Sequence, residues 1–194
     1  MISSSVISRL TELAALGGAA NRQRLANFLK VSFALLFSEV AASTAITGAT
    51  ESATAFDQYY TVKANSPEAG SVIRGKAWGK HTATTGTENH TLALLLGTTA
   101  LFTSGNLDPA DNDYWSFEWE IVYRTVGASG TFVASGTLSY GASGAAGTVI
   151  RWFKDSTAVD TTADNTITVV IDRQTGATDS DSVRQDSMVV FSAG

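Results

Sequence analysis

The chain has 194 residues, of which 44% are hydrophobic and only 16% charged, and its formal net charge is −5. A surface that binds phosphates needs clustered Lys and Arg, so we expect no nucleic acid partner. The absence of Cys excludes disulfides and thiolate metal ligands. The length allows one domain of ordinary size with an appendage.

The first part of the chain begins with an amphipathic segment. Val6, Leu10 and Leu13 recur at helical spacing, and Gly17-Gly18 ends the pattern, which predicts a short helix over residues 1–16. The first five residues carry no basic side chain, so we expect no export signal.

A second apolar segment follows. Asn21 can cap a second helix, although residues 31–37 fit a strand equally well. The apolar run contains Lys30 and is far shorter than the ~20 residues that cross a bilayer, so we expect no membrane partner. Because an exposed apolar stripe usually marks an interface, the candidate interface residues are Leu25, Phe28, Phe33 and Phe37.

A stretch of Thr, Ser, Ala and Gly over residues 41–55 is typical of a linker. We therefore predict two parts: residues 1–55 as an N-terminal helical or extended anchoring segment with its linker, and residues 56–194 as the main domain. Two interpretations of the first part stay open. It packs on its own domain, or it docks on another protein.

The centre of the main domain is the segment 114–124. Trp115, Phe117 and Trp119 alternate with Ser116 and Glu118, and the alternation continues to the end of the segment. This period of two predicts a strand with one buried and one solvated face, as in an antiparallel sheet.

Eight further segments have strand character, and clusters of turn-forming residues separate several of them, at 65–70, 108–113, 161–165 and 175–179. This number and spacing of short strands predicts a mainly β protein, an antiparallel β-sandwich of the jelly-roll type. The nine predicted strands are 56–63, 71–80, 90–96, 98–103, 114–124, 131–140, 148–154, 166–172 and 182–192.

No residue pattern indicates catalysis or a cofactor. His81 and His90 flank what reads as a hairpin loop, and a metal there would need a third ligand, for which Glu88 is the nearby carboxylate. No Gly-x-Ser-x-Gly elbow accompanies the histidines. We expect a polar loop, no metal site and no enzyme activity.

Acidic residues offer two weaker alternatives. Asp108, Asp111 and Asp113 could hold calcium, but their spacing is not that of an EF-hand loop and turn roles are favoured. Glu118 and Glu120 could form a glycosidase pair, but they lie on the wet face of a strand and are expected to be solubilising.

The four Trp residues allow two readings. Aromatic faces stack on sugars, so a sugar-binding groove is possible in principle. Three of the four lie within alternating strands, where an inward position is simpler, and core packing is therefore favoured. The four residues are Trp78, Trp115, Trp119 and Trp152.

The strand and turn sequence as a whole resembles the jelly-roll domains of tailed-bacteriophage virion proteins. The resemblance spans approximately residues 56–192 and is carried by residues 73–80, 91–97, 114–124, 124–130 and 159–165. It implies a non-enzymatic, usually trimeric module that is made in the host cytoplasm and displayed on the phage particle. A separate N-terminal segment would attach it.

Two functions follow from this resemblance. The leading one is a head decoration or cement protein, whose N-terminal segment engages the major capsid protein or another virion protein while the jelly roll projects. The alternative is a tail-associated adhesin, in which loops such as 82–89 or 108–113 bind a host surface glycan.

Overall fold

A computed structural model describes residues 34–47, 53–82, 89–108, 112–142, 147–173 and 182–193. These ranges contain eleven strands and no helix. No helix in them could therefore cross a membrane. The strands are β1 (Ala34–Glu39), β2 (Ile46–Thr47), β3 (Ala53–Val62), β4 (Val72–Thr82), β5 (His90–Leu96), β6 (Thr99–Thr103), β7 (Asp113–Thr125), β8 (Gly130–Ala142), β9 (Thr148–Val159), β10 (Asn165–Arg173) and β11 (Ser182–Ala193).

The strands form two antiparallel sheets that pack as a sandwich. The large sheet has the order β1-β11-β4-β7-β8-β9, with β2 also paired to β11, and the small sheet has the order β3-β10-β5-β6. This confirms the predicted fold class, because an all-antiparallel sandwich of this kind is consistent with a jelly roll. The predicted helix over residues 1–16 lies outside the described residues.

All nine predicted strands are present, and β9 runs further than predicted, to Val159. The ambiguity over residues 31–37 is resolved for its described part, since residues 34–37 belong to strand β1. Both β1 and β2 pair with β11. The large sheet therefore begins within residues 1–55, the part of the chain that we assigned to anchoring.

The inner face of the large sheet is built on tryptophan and glycine pairs. Trp115 and Trp119 of β7 lie directly opposite Gly79 and Gly75 of β4. A Cβ atom at Gly79 would come within 2.6 Å of the Trp115 indole, and one at Gly75 would overlap the Trp119 indole. The glycines thus leave the space that the large aromatic side chains fill.

Aromatic rings also join the two sheets. Phe56 of the small sheet stacks on Trp115 with ring centroids 5.5 Å apart. Phe102 lies between Phe117 at 6.0 Å and Trp152 at 5.6 Å. Phe56, Trp115 and Phe117 are buried, and each contributes roughly 1.5–3 kcal/mol by burial, so this layer is a main source of stability.

The chain after β1 is fastened to the sandwich by polar contacts. The Ser187 hydroxyl donates to the Glu39 carbonyl at 2.5 Å, and the Gln185 amide donates to the Ser43 hydroxyl at 2.9 Å. The fully buried Gln185 side chain then donates to the Gln58 side-chain oxygen of the small sheet at 2.9 Å. Residues 39–43 are therefore an integral part of the fold.

Candidate functional site

The outer face of the large sheet carries two ion pairs between β4 and β7. Arg74 Nε lies 2.5 Å from a carboxylate oxygen of Glu120, and Lys76 Nζ lies 2.6 Å from one of Glu118. The register of the two strands places each pair directly opposite. The prediction that both glutamates lie on the solvated face is confirmed. Both line an open depression of about 300 Å³, and each is engaged by its cation there.

At one end of this outer face lies an open groove of about 690 Å³, which we call the outer groove. It crosses β4, β7 and β8, the three central strands of the sheet, and its end is formed where β8 and β9 meet. Its lining combines aromatic residues with serines and glycines. The lining residues are Lys76, Trp78, Tyr114, Trp115, Ser116, Ser139, Tyr140, Gly141 and Gly147.

The position of Trp78 corrects the expectation that the tryptophans pack in the core. Trp115 and Trp119 are buried, and Trp152 packs partly buried against the core. Trp78 has the opposite parity in β4 and lies half-buried on the outer face. The sequence contains the signal, because the small or apolar residues that alternate with it (Ile73, Gly75, Ala77 and Gly79) fit against the β7 aromatics and take the inner face.

The edge of the large sheet at β1 exposes apolar side chains. Leu35 is 59% exposed, and Val40, immediately after the strand, is 84% exposed. Phe37, a predicted interface residue, is half-buried with its ring 6.2 Å from that of Tyr60. The predicted interface residues Leu25, Phe28 and Phe33 lie outside the described residues.

A register shift explains why these neighbours differ in exposure. The pairing of β1 with β11 slips between Leu35 and Phe37, so that Leu35 lies opposite Phe191 and Phe37 lies opposite Val190. Such a bulge re-aims side chains on the bulged strand. Sequence periodicity could not reveal it, because the bulge depends on the partner strand.

The two histidines are brought together, but not in a hairpin loop as predicted. His81 is the penultimate residue of β4 in the large sheet and His90 begins β5 in the small sheet, so the connection between them passes from one sheet to the other. Both are buried, with ring centroids 4.3 Å apart in an edge-on arrangement. Glu88 lies outside the described residues. We interpret the pair as a contact that joins the two sheets.

The three aspartates considered as calcium ligands are Asp108, Asp111 and Asp113, and the two that the structure describes do not share one environment. Asp108 is exposed, Asp113 is buried at the start of β7, and Asp111 lies outside the described residues. Among the described residues, no three His, Asp or Glu side chains are grouped so that they could hold a metal ion.

Two tyrosines pack against the core, Tyr123 buried and Tyr140 partly buried. Burial raises the pKa of Tyr123 to about 12, and the nearby Tyr60 adds to the rise. Burial, together with the neighbouring carboxylate of Asp113, also raises the pKa of Tyr140. Both hydroxyls therefore stay neutral at physiological pH.

Neither a known protein family nor a curated protein matches the sequence. Among solved structures, the chain is similar to a chain from "Structure of infectious bursal disease virus Gx strain", with 12% identity and a TM-score of 0.32. The match covers 83% of this chain and 42% of that chain, so this chain spans less than half the length of the viral one. At this level of similarity, no residue and no function is carried over.

Proposed function

We propose that this chain is a non-enzymatic structural protein of a tailed-bacteriophage virion, a head decoration or cement protein on the particle surface. The resemblance of residues 56–192 to jelly-roll domains of such virion proteins supports the proposal. The antiparallel sandwich has the architecture that the resemblance implies. The low share of charged residues, 16%, also suits a surface that is partly covered in an assembly.

The observation that carries the proposal is the way in which the N-terminal part joins the sandwich. Residues 1–33 lead directly into β1, which is hydrogen-bonded to β11 along its length. Residues 39–43 are then fixed by side-chain hydrogen bonds. A partner that binds residues 1–33 would therefore hold a segment that continues into a paired strand of the large sheet.

The surface around this junction suits a protein partner. Among the described strands β1 is the last of the large sheet, so the backbone groups on its outer side can accept another strand. Exposed Leu35 and Val40 offer apolar area beside it. We propose that the major capsid protein, or another virion protein, covers this edge together with residues 1–33.

The jelly-roll resemblance also leads us to propose that the protein is a homotrimer. Three sandwiches would then project around a common axis, with their N-terminal parts directed towards the head. The long exposed strand β9, with Phe153 67% exposed, provides one surface on which neighbouring copies can pack.

Co-sedimentation with particles that lack the protein tests the attachment. The deletion should stop at residue 33, because removal of β1 would expose one side of β11 and disturb the sheet itself. We expect the variant without residues 1–33 to remain folded by circular dichroism and to lose binding to particles. Retained binding by this folded variant would contradict the proposal.

Point variants distinguish a specific contact at the β1 edge from a general effect of exposed apolar side chains on particle binding. We expect Leu35→Ser with Val40→Ser to weaken particle binding by tenfold or more. The matched control is Tyr59→Ser, which removes an exposed aromatic side chain from the small sheet and should leave binding unchanged. Equal loss in both variants would count against a specific contact at the β1 edge.

The outer groove favours a second candidate, a tail-associated adhesin that recognises a host surface glycan. An open groove lined by aromatic residues is the type of site that a saccharide occupies. The location of the protein on the particle separates this candidate from the first.

A further inference from the structure

The outer groove has a chemistry that its role in the fold does not explain. Trp78 lies on the outer face although a core position is usual for Trp. Tyr114, its diagonal neighbour on β7, is 44% exposed. Diagonal neighbours across antiparallel strands are about 7–8 Å apart, so two aromatic side chains lie side by side on a surface. Such a pair is a platform on which a flat apolar face can lie.

Small residues in the lining leave the groove open. Ser116 and Ser139 lie directly opposite each other on β7 and β8, and both present hydroxyl groups outwards. At the end of the groove, a Cβ atom on Gly141 would lie 2.8 Å from the Cα of Gly147. The two backbones are thus in close contact there, and no side chain of either residue fills the space.

The charge of the groove is already compensated. Among the described residues that line it, Lys76 is the charged one, and its ammonium group lies 2.6 Å from a carboxylate oxygen of Glu118. An anionic ligand would have to compete with this carboxylate. A single-stranded nucleic acid could stack on the aromatic rings, but its phosphates need a positively charged track. A ligand without net charge fits the groove best.

The strands below the groove exclude a peptide bound by strand addition. β4, β7 and β8 are each paired on both sides, so their backbone groups are not available to another strand. The volume of about 690 Å³ is that of a small-ligand site. A second protein needs roughly 800 Å² of surface from each partner, which is more than such a groove offers.

From these features we propose that the outer groove binds a neutral saccharide of a few sugar units. The apolar C–H face of one ring stacks on Trp78 and the next ring lies against Tyr114. The hydroxyl groups of the sugar exchange hydrogen bonds with Ser116 and Ser139. This inference rests on the second candidate function above and specifies its ligand, and it does not depend on how the protein attaches to the particle.

The test begins with the purified full-length protein on an array of neutral and anionic oligosaccharides. Neutral oligosaccharides that are retained are then titrated by isothermal calorimetry. We expect Trp78→Ala and Tyr114→Ala each to weaken binding tenfold or more. Both side chains lie on the outer face, so circular dichroism and thermal unfolding should show an intact sandwich.

Tyr59→Ala is the matched control, because it removes an exposed aromatic side chain from the small sheet, away from the groove. We expect this variant to bind like the unaltered protein. Retention of no neutral oligosaccharide at millimolar concentration would overturn the proposal. So would binding restricted to anionic sugars, or a Trp78-dependent self-association measured by sedimentation.

Discussion

The two faces of the large sheet are made by the same strands, but their side chains are selected for different physical reasons. On the inner face, Trp115 and Trp119 fill spaces left by glycines on the neighbouring strand. On the outer face, the same two strands carry the Arg74–Glu120 and Lys76–Glu118 pairs. On the inner face, the choice of side chains is determined by the volume that they must fill. On the outer face, it is determined by charge pairing and contact with solvent.

This difference indicates where substitutions will be tolerated. A close-packed interior cannot take an extra methyl group without displacement of its neighbours. Exposed side chains can move, and solvent screens their charges. Function on this sheet is therefore expected on the outer face, where residues can change at little cost in stability.

The largest effect is expected from Gly75→Ala. The new methyl group would overlap the Trp119 indole, and the crowding should cost about 3 kcal/mol of unfolding free energy. Chemical denaturation followed by tryptophan fluorescence measures it. The outer-face control is Ser135→Ala, with an expected change within ~0.5 kcal/mol.

Combination with Trp119→Leu provides the second control for this prediction. If the methyl group acts through the indole, the double variant should lose less stability than the sum of the two single changes. Strict additivity would show that the Gly75 effect has another origin.

An intermediate effect is expected from the buried Tyr123 at alkaline pH. Its pKa of about 12 in the folded protein exceeds the ordinary value of 10.0, so the unfolded chain releases this proton first. Stability is full below pH 10 and falls as the pH rises towards 12, by ~2–3 kcal/mol for this residue. Urea unfolding at pH 8 and pH 11.5 should show a smaller fall in Tyr123→Phe.

Tyr59→Phe, at an exposed tyrosine of the small sheet, is the matched control for this experiment. A pH dependence unchanged in Tyr123→Phe would contradict the burial of the Tyr123 hydroxyl.

The smallest effect is expected from the outer ion pairs. The side chains of Arg74 and Glu120 are 47% and 36% exposed, and exposed pairs contribute roughly 0.2–1 kcal/mol. A double-mutant cycle with Arg74→Met and Glu120→Gln should give a coupling in that range. The coupling should shrink in 1 M salt, where the screening length is about 3 Å. A coupling above ~2 kcal/mol would contradict the claim that solvent screens the charges of the outer face.

Most of the fold could be predicted from the sequence because its strands are long and regularly alternating. The segment 114–124 shows this best, since every second residue from Trp115 to Tyr123 is buried. The connection from β4 to β5 was misread as a hairpin. His81 and His90 are close in sequence, and local spacing does not reveal that their strands belong to different sheets.

The candidate site was predicted less well. The sequence-based prediction grouped Trp78 with the core tryptophans. Whether Trp78 is buried depends on which face of β4 meets the β7 aromatics, and the sequence of β4 alone does not determine this. The exposure of Leu35 depends on a register shift against β11, a strand more than a hundred residues later in the chain. Both features arise from pairing between distant segments, which single-sequence periodicity does not contain.

The most direct test of head decoration is cryo-electron microscopy of particles that lack the protein, after addition of the purified full-length chain. Our account predicts new density at regular positions over the head, in groups of three sandwiches, with β1 directed towards the shell. Density confined to the tail would contradict it and would make the adhesin function the better explanation.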